Sequence, residues 1–515
     1  MKAFGLRAWM ACFLLVAAAL AAAEPALLVK TRQGEAHGKW LAEGKVKAYL
    51  GLPYAAPPVG ELRWRAPQTA AAWKGVRDAT RFAPHCSQGR VFADMIFQDG
   101  EASEDCLYLN VYAPADARPG SRLPVMFWIH GGGYAGGASS EPRHNGDALP
   151  QKGVVLVTIN YRMGVLGFLA ANDLVQEGKG HAGNYGLMDM VEALRWVRGN
   201  IAGFGGDAGN VTIFGESAGS FAVSTLMASP EARGLFHRAI GESGADFGTT
   251  LVTSTLAERG KHDQQFLDGL GVKTLAEARA LSADRLTEAA GKLGMVRFTP
   301  VIDSQFLTES VPETYAAGRQ AHVPLLAGWN RDENAALASS MTAAKWQAFA
   351  REHFGAQAGA FLKAYPAASD EEAVRSAVAF GSDSFIAFGT WKWIEAQVKT
   401  GQSPVYRYHF ELAAPPSKFH QGSWAFHSDD IEYVFGTLDT RPGAVWRSED
   451  RLLSEQMMGY WTNFARTGDP NGKGLPKWPR YDAEKQILHL DSTISATPDA
   501  TRPQYEFLLS QPSGK

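Results

Sequence analysis

The apolar run Val211-Thr212-Ile213-Phe214 passes directly into Gly215-Glu216-Ser217-Ala218-Gly219, and a segment of helical periodicity follows. A strand that turns this sharply into a helix belongs to a sheet covered by helices, because the helix returns along the sheet it has just left. The turn also lifts the Ser217 hydroxyl clear of the sheet, and glycines two residues to either side remove the Cβ atoms that would clash in it. The helix N-terminus beside Ser217 stabilises developing negative charge. The letters alone are weak, since about 0.3 chance matches are expected at this glycine content. Gly241-Glu242-Ser243-Gly244-Ala245 is such a near miss and lacks the final glycine.

The rest of the chain agrees with that local reading. Short apolar or alternating runs occur at 47–52, 125–129, 154–159, 324–327, 405–410 and 487–490. Between them, Leu187, Met190, Val191, Leu194, Val197 and Ile201 keep the spacing of one buried helix face. Continuously apolar strands alternating with helices predict an α/β fold, a mostly parallel twisted sheet with helices on both faces. Residues 246–399 are mostly helical in pattern and are expected as an insertion capping one end of the sheet. With 515 residues, 45% hydrophobic and 20% charged, the chain can bury a large core. A net charge of -3 offers no footprint for nucleic acid, and no polybasic cluster suits an anionic membrane.

Lys2 and Arg7 precede an apolar run from Ala8 to Ala23 that ends in small residues before Glu24 and Pro25. This is the pattern of a secretory signal cut after Ala23, leaving 24–515 as one domain. The run is too short for a stable membrane span. Cys12 lies inside it and is poorly placed for lipid modification. In an oxidising compartment the remaining cysteines, Cys86 and Cys106, are expected to form one disulfide closing the loop between them. A structural zinc needs more ligands than these cysteines supply.

His130-Gly131-Gly132-Gly133-Tyr134 follows the 125–129 strand. Gly131-x-Gly133-x-x-Gly136 also spells a dinucleotide-binding pattern, but no amphipathic helix follows to hold a pyrophosphate. An oxyanion hole fits better, because consecutive glycines let backbone N–H groups converge on one oxygen. A serine nucleophile also needs a base and an acid, in the chain order Ser, Asp or Glu, His. The histidines after Ser217 are His237, His262, His322, His353, His409, His420, His427 and His489. His409 and His489 sit within strand patterns and read as structural. His420 and His427 share a loop after a strand, where a base belongs, and spacing does not separate them. For the acid, Asp332 and Glu333 both follow the 324–329 run.

Taken together, these segments resemble the type-B carboxylesterase family, the cholinesterase-like branch of the α/β-hydrolases, from about Val29 to Asn471. The resemblance is carried by Gly51-Leu52-Pro53-Tyr54-Ala55-Ala56-Pro57-Pro58-Val59-Gly60, Glu104-Asp105-Cys106-Leu107-Tyr108-Leu109-Asn110, Asn160-Tyr161-Arg162 and Phe204-Gly205-Gly206-Asp207, besides the serine turn. It implies Ser217 as nucleophile, Glu333 as acid and His427 as base, with oxyanion donors at the N–H groups of Gly132, Gly133 and Ala218. Ser243 then supports the acid and base, Glu216 lies beside the nucleophile, and Cys86 pairs with Cys106. Met190, Glu242 and Ala208 depart from the family, which has Gln, Gln and Pro there. The loop between the cysteines has no tryptophan, so the aromatic platform that binds quaternary ammonium in cholinesterases has no match. The expected activity is hydrolysis of an uncharged small-molecule ester without metal or organic cofactor; oligomeric state is open. The alternatives are a lipase on aggregated lipid and a non-catalytic binding or adhesion protein on the same fold.

Overall fold

The computed structural model describes residues 27–89, 92–248, 250–294, 297–422 and 424–511. The expected signal segment at 1–23, with Cys12, lies outside the described residues.

Eleven strands form the central sheet: β1 (Lys39–Leu41), β2 (Val46–Pro53), β3 (Tyr108–Pro114), β4 (Leu123–Ile129), β5 (Val155–Ile159), β6 (Gly206–Glu216), β7 (Arg238–Glu242), β8 (Leu325–Asn330), β9 (Val405–Phe410), β10 (Gln486–Leu490) and β11 (Ser495–Pro498). Their spatial order is β1-β2-β3-β5-β4-β6-β7-β8-β9-β10-β11. From β5 to β10 every neighbouring pair is parallel, while β1, β2, β3 and β11 add antiparallel margins. This is the expected mostly parallel α/β sheet.

Both faces are covered, and strand periodicity shows how. Along β4, Val125, Phe127 and Ile129 join one buried cluster, with side chains of α1 (Tyr185–Asn200), α2 (Ala218–Ala228) and α3 (Phe388–Thr400). Met126 and Trp128 point the other way, into a cluster with α4 (Ile431–Phe435) and α5 (Ser448–Thr467). Strands buried on both sides read as unbroken apolar runs for this reason. Residues 246–399 return once to the sheet as β8, so their helices fall into two groups either side of that strand. The second group carries its own aromatic cluster around Trp346, Phe361 and Tyr365.

The register aligns the C-terminal ends of the parallel strands. Ile129 pairs with Gly215, Glu216 with Glu242, Glu242 with Gly328, and Asn330 with Phe410. Loops leaving that edge carry Ser217, Ser243, Glu333 and His427, as parallel sheets place their sites.

Candidate active site

Ser217 occupies the single residue between β6 and α2 at φ 53° and ψ -124°. That backbone conformation is unfavourable for a residue with a Cβ. Packing holds it: the Ser217 N–H donates to the Glu242 carbonyl at 2.9 Å. A Cβ on Gly219 would lie 2.0 Å from the Ile129 carbonyl oxygen, and one on Gly215 2.6 Å from the same atom. Only glycines let α2 start this close to β4.

The His427 Nε2 stands 2.9 Å from Ser217 Oγ, and its Nδ1 stands 2.5 Å from Glu333 Oε2. The other Glu333 oxygen accepts from Ser243 Oγ at 2.5 Å and from the Asn330 N–H at 2.7 Å. With both carboxylate oxygens engaged, the Glu333 side chain has one orientation. Phe385, in a π-helical turn (Asp383–Ala387) leading into α3, packs its ring edge-on to His427 at 5.2 Å.

The pairs that spacing left open part company here. Asp332 accepts from the Ala425 N–H at 2.8 Å and is ion-paired with Arg331 at 2.8 Å, so it pins the loop and does not face the imidazole. His420 lies tilted against Phe426 at 5.5 Å, and its backbone N–H donates to Ser417 Oγ at 3.1 Å. Glu216 accepts from Ser428 Oγ at 2.8 Å and places an oxygen 3.3 Å from His427 Nε2.

Opposite Ser217, Gly132 and Gly133 adopt φ of 106° and 63°, and a Cβ on Gly132 would meet the Gly136 carbonyl oxygen at 2.0 Å. Ala218 opens α2, where an N–H has no intrahelical acceptor. Cys86 and Cys106 are disulfide-bonded. The enclosed loop braces the glycine turn: the Gln88 side chain donates to the Gly137 carbonyl at 2.9 Å and accepts from the Gly137 N–H at 2.7 Å.

A set of buried carboxyl groups, little signalled by sequence, surrounds the histidine. Asp430 accepts from Tyr408 Oη at 3.0 Å and from Asn330 Nδ2 at 3.2 Å. Glu242 accepts from Trp461 Nε1 at 2.7 Å, and among the described residues its Oε2 has no hydrogen-bond partner. Burial, with repulsion from Asp430, pushes Glu242 well up, and burial with repulsion from Glu216 and Glu333 pushes Asp430 up to about 7. Burial also raises Glu216, against the pull of His427 and Ser428. Burial lowers the His427 imidazole, but Glu216, Glu333 and Asp430 outweigh it and push it up to about 9. Asp430 was findable in principle, three residues after His427 and on the first turn toward α4; Glu242 stood out only as a departure.

A cavity of about 390 Å³ lined by Trp64, Leu174, Tyr185 and Phe306 contains none of these groups. A tighter cleft beside His427 is walled by Arg143, Phe419, Asp429 and Arg441.

The carboxylesterase family model matches residues 25–508. Fumonisin B1 esterase of Sphingopyxis macrogoltabida is 36% identical over 501 residues, 92% of this chain and 88% of that one. Carboxylesterase 1F of Mus musculus is 37% identical over 524 residues, 90% of each chain. The crystal structure of a Geobacillus stearothermophilus carboxylesterase superposes with a TM-score of 0.81 at 33% identity, over 93% of this chain and all of the other.

Proposed function

The chain belongs to the carboxylesterase family and hydrolyses carboxylic esters, and from that premise we propose that Ser217, His427 and Glu333 are its catalytic triad. One observation carries the assignment: an unbroken hydrogen-bonded line from Ser217 Oγ through both nitrogens of His427 to Glu333. With Nδ1–H donated to Glu333, the Nε2 lone pair faces the serine hydroxyl, the tautomer a general base needs.

As Ser217 Oγ bonds to the ester carbonyl carbon, its proton passes to His427 Nε2 and the carbonyl electrons move onto oxygen. The N–H groups of Gly132, Gly133 and Ala218 stabilise that oxyanion. Glu333 stabilises the imidazolium. Collapse breaks the bond to the alkoxy oxygen, which takes the proton from His427 and leaves as the alcohol. Water then attacks the acyl-serine, giving its proton to the same nitrogen, and the acid departs as Ser217 is reprotonated. No step calls for a metal or organic cofactor.

The substrate on this reading is a small uncharged ester. The absence of tryptophan from residues 87–105 argues against a choline specialist. That one relative is a fumonisin B1 esterase fits a family pocket open to varied esters. The mature enzyme, residues 24–515, acts as one domain in an oxidising compartment, outside the cell or in a periplasm; the Cys86–Cys106 bond supports export. Among the described residues no helix is long and apolar enough to cross a membrane.

Ser217→Ala should abolish ester turnover while the circular dichroism spectrum is unchanged, and an organophosphate should add one adduct, on Ser217. An adduct on Ser243 by peptide mass spectrometry would overturn the assignment.

A further inference from the structure

Three strands along the sheet from β6, toward its β11 margin, three ligand-type side chains converge on the boundary between β9 and β10. His409 and His489 are direct partners in the parallel register, so their side chains leave the same face side by side. Glu411 follows His409 by two residues, just past the end of β9, and its N–H donates to the Leu490 carbonyl at 2.8 Å. A single carboxylate oxygen, Glu411 Oε1, lies 2.7 Å from His409 Nδ1 and 2.6 Å from His489 Nδ1. One donor atom from each residue falls within 4.8 Å of the other two.

We propose that His409, Glu411 and His489 form a binding site for one divalent transition-metal ion of the zinc class, clamping β9 to β10 at the root of the loop that carries His427. Two imidazole nitrogens and one carboxylate select zinc, cobalt, nickel or copper over magnesium and calcium, which prefer oxygen. Metal bonds of about 2.0–2.2 Å put the ligands of a tetrahedral centre about 3.3–3.5 Å apart, so each nitrogen need retreat from the carboxylate by less than about 1 Å. Side-chain rotation supplies this, because all three residues are partly exposed and their backbones are fixed by the sheet. The same exposure leaves room for water as fourth ligand.

The surroundings suit a cation. His489 Nε2 lies 2.7 Å from Thr497 Oγ1 on β11, so the proton that Nδ1 must vacate can reside on Nε2 and be held there. Bound histidines are oriented through their second nitrogen in this way. Trp329 packs edge-on to His409 at 6.1 Å and limits its swing. Among nearby charges, Arg407 is ion-paired with Asp499; the Arg331 guanidinium also stands within electrostatic reach of Glu411, but it is ion-paired with Asp332 and further offset by the Asp491 carboxylate.

The test uses the mature, tag-free enzyme stripped with a chelator and dialysed against zinc at pH 7.5. One zinc per chain is expected. His409→Ala, Glu411→Gln and His489→Ala should each weaken binding at least tenfold, and Thr497→Val about tenfold through lost ring orientation. Esterase activity near wild type certifies that each variant is folded, and Thr497→Val on the exposed margin decides the matter if a ligand variant does not fold. Cobalt should give visible d–d bands in wild type that His489→Ala loses. No zinc bound at 1 mM, or binding undiminished in folded His489→Ala or Thr497→Val, overturns the proposal.

Discussion

Glu216→Gln tests the electrostatic reading of the site most sharply. His427 must be neutral to accept the Ser217 proton, yet it is pushed up to about 9, so below that pH most of the free enzyme carries the inactive imidazolium. Activity should therefore climb about tenfold per pH unit through neutrality and level off near pH 9. Glu216 Oε1 lies 3.3 Å from Nε2, which at an effective dielectric of 20 is an attraction of about 5 kcal/mol, or a ceiling of roughly 3–4 pKa units. Burial pushes Glu216 up, which works against its charged form, and the amide keeps an oxygen dipole toward the ring. A net fall of about 1–2 units is the reasoned expectation. The sign follows directly: removing the charge lowers the imidazole, so the neutral base persists to lower pH. Glutamine retains the acceptor for Ser428, which keeps the loop in place. The assay is kcat/KM for a chromogenic acetate ester from pH 5 to 10 at constant ionic strength. The ratio of variant to wild type should rise about 5- to 45-fold as pH falls from 9 to 6. Superimposable acid limbs, or a variant limb displaced to higher pH, would refute the claim that Glu216 sets the charge on the base.

The remaining expectations are simpler. Glu333→Gln should lower kcat on the order of 10⁴-fold by losing the histidine tautomer, with KM little changed, whereas folded Asp332→Asn should keep most activity; the reverse result in steady-state kinetics would move the acid to Asp332. Replacing Cys86 and Cys106 together by serine should cost about 3 kcal/mol in chemical denaturation, a chain-entropy figure, and denatured wild type should show no free thiol; two titratable thiols would remove the bridge.

How much of this was legible depends on the range of the interactions. The serine turn is a local device: strand, strained residue and helix are consecutive, and the glycines are required by the approach of Ile129 to Gly215 and Gly219. The long inner strands were equally readable, because β4, β5 and β8 are buried on both faces and, but for Thr158 and Asn330, lack polar side chains. The edge strands β1 and β11 were not, being only three and four residues long and so too short to show a period. β7 escaped notice as well, since Arg238 and Glu242 bracket three small or apolar residues and belong there only through the neighbours on either side.

Residue types and local geometry, set by short-range sterics and burial, are thus properties of the sequence: a serine on a strained turn, a glycine turn after β4, a covered parallel sheet, two cysteines. Family resemblance could name His427 and Glu333, but residue pattern alone left each with a rival, because His420 and His427 share a loop and Asp332 and Glu333 are adjacent. Tertiary structure separates them through pairings with no sequence period: Asp332 onto Ala425, Glu333 between Ser243 and His427. The charge state of the His427 imidazole is set at the same level. Glu216, Glu333 and Asp430 come from three different segments, and only where the strand ends bring them around one imidazole does their combined field exceed the cost of burying its charge.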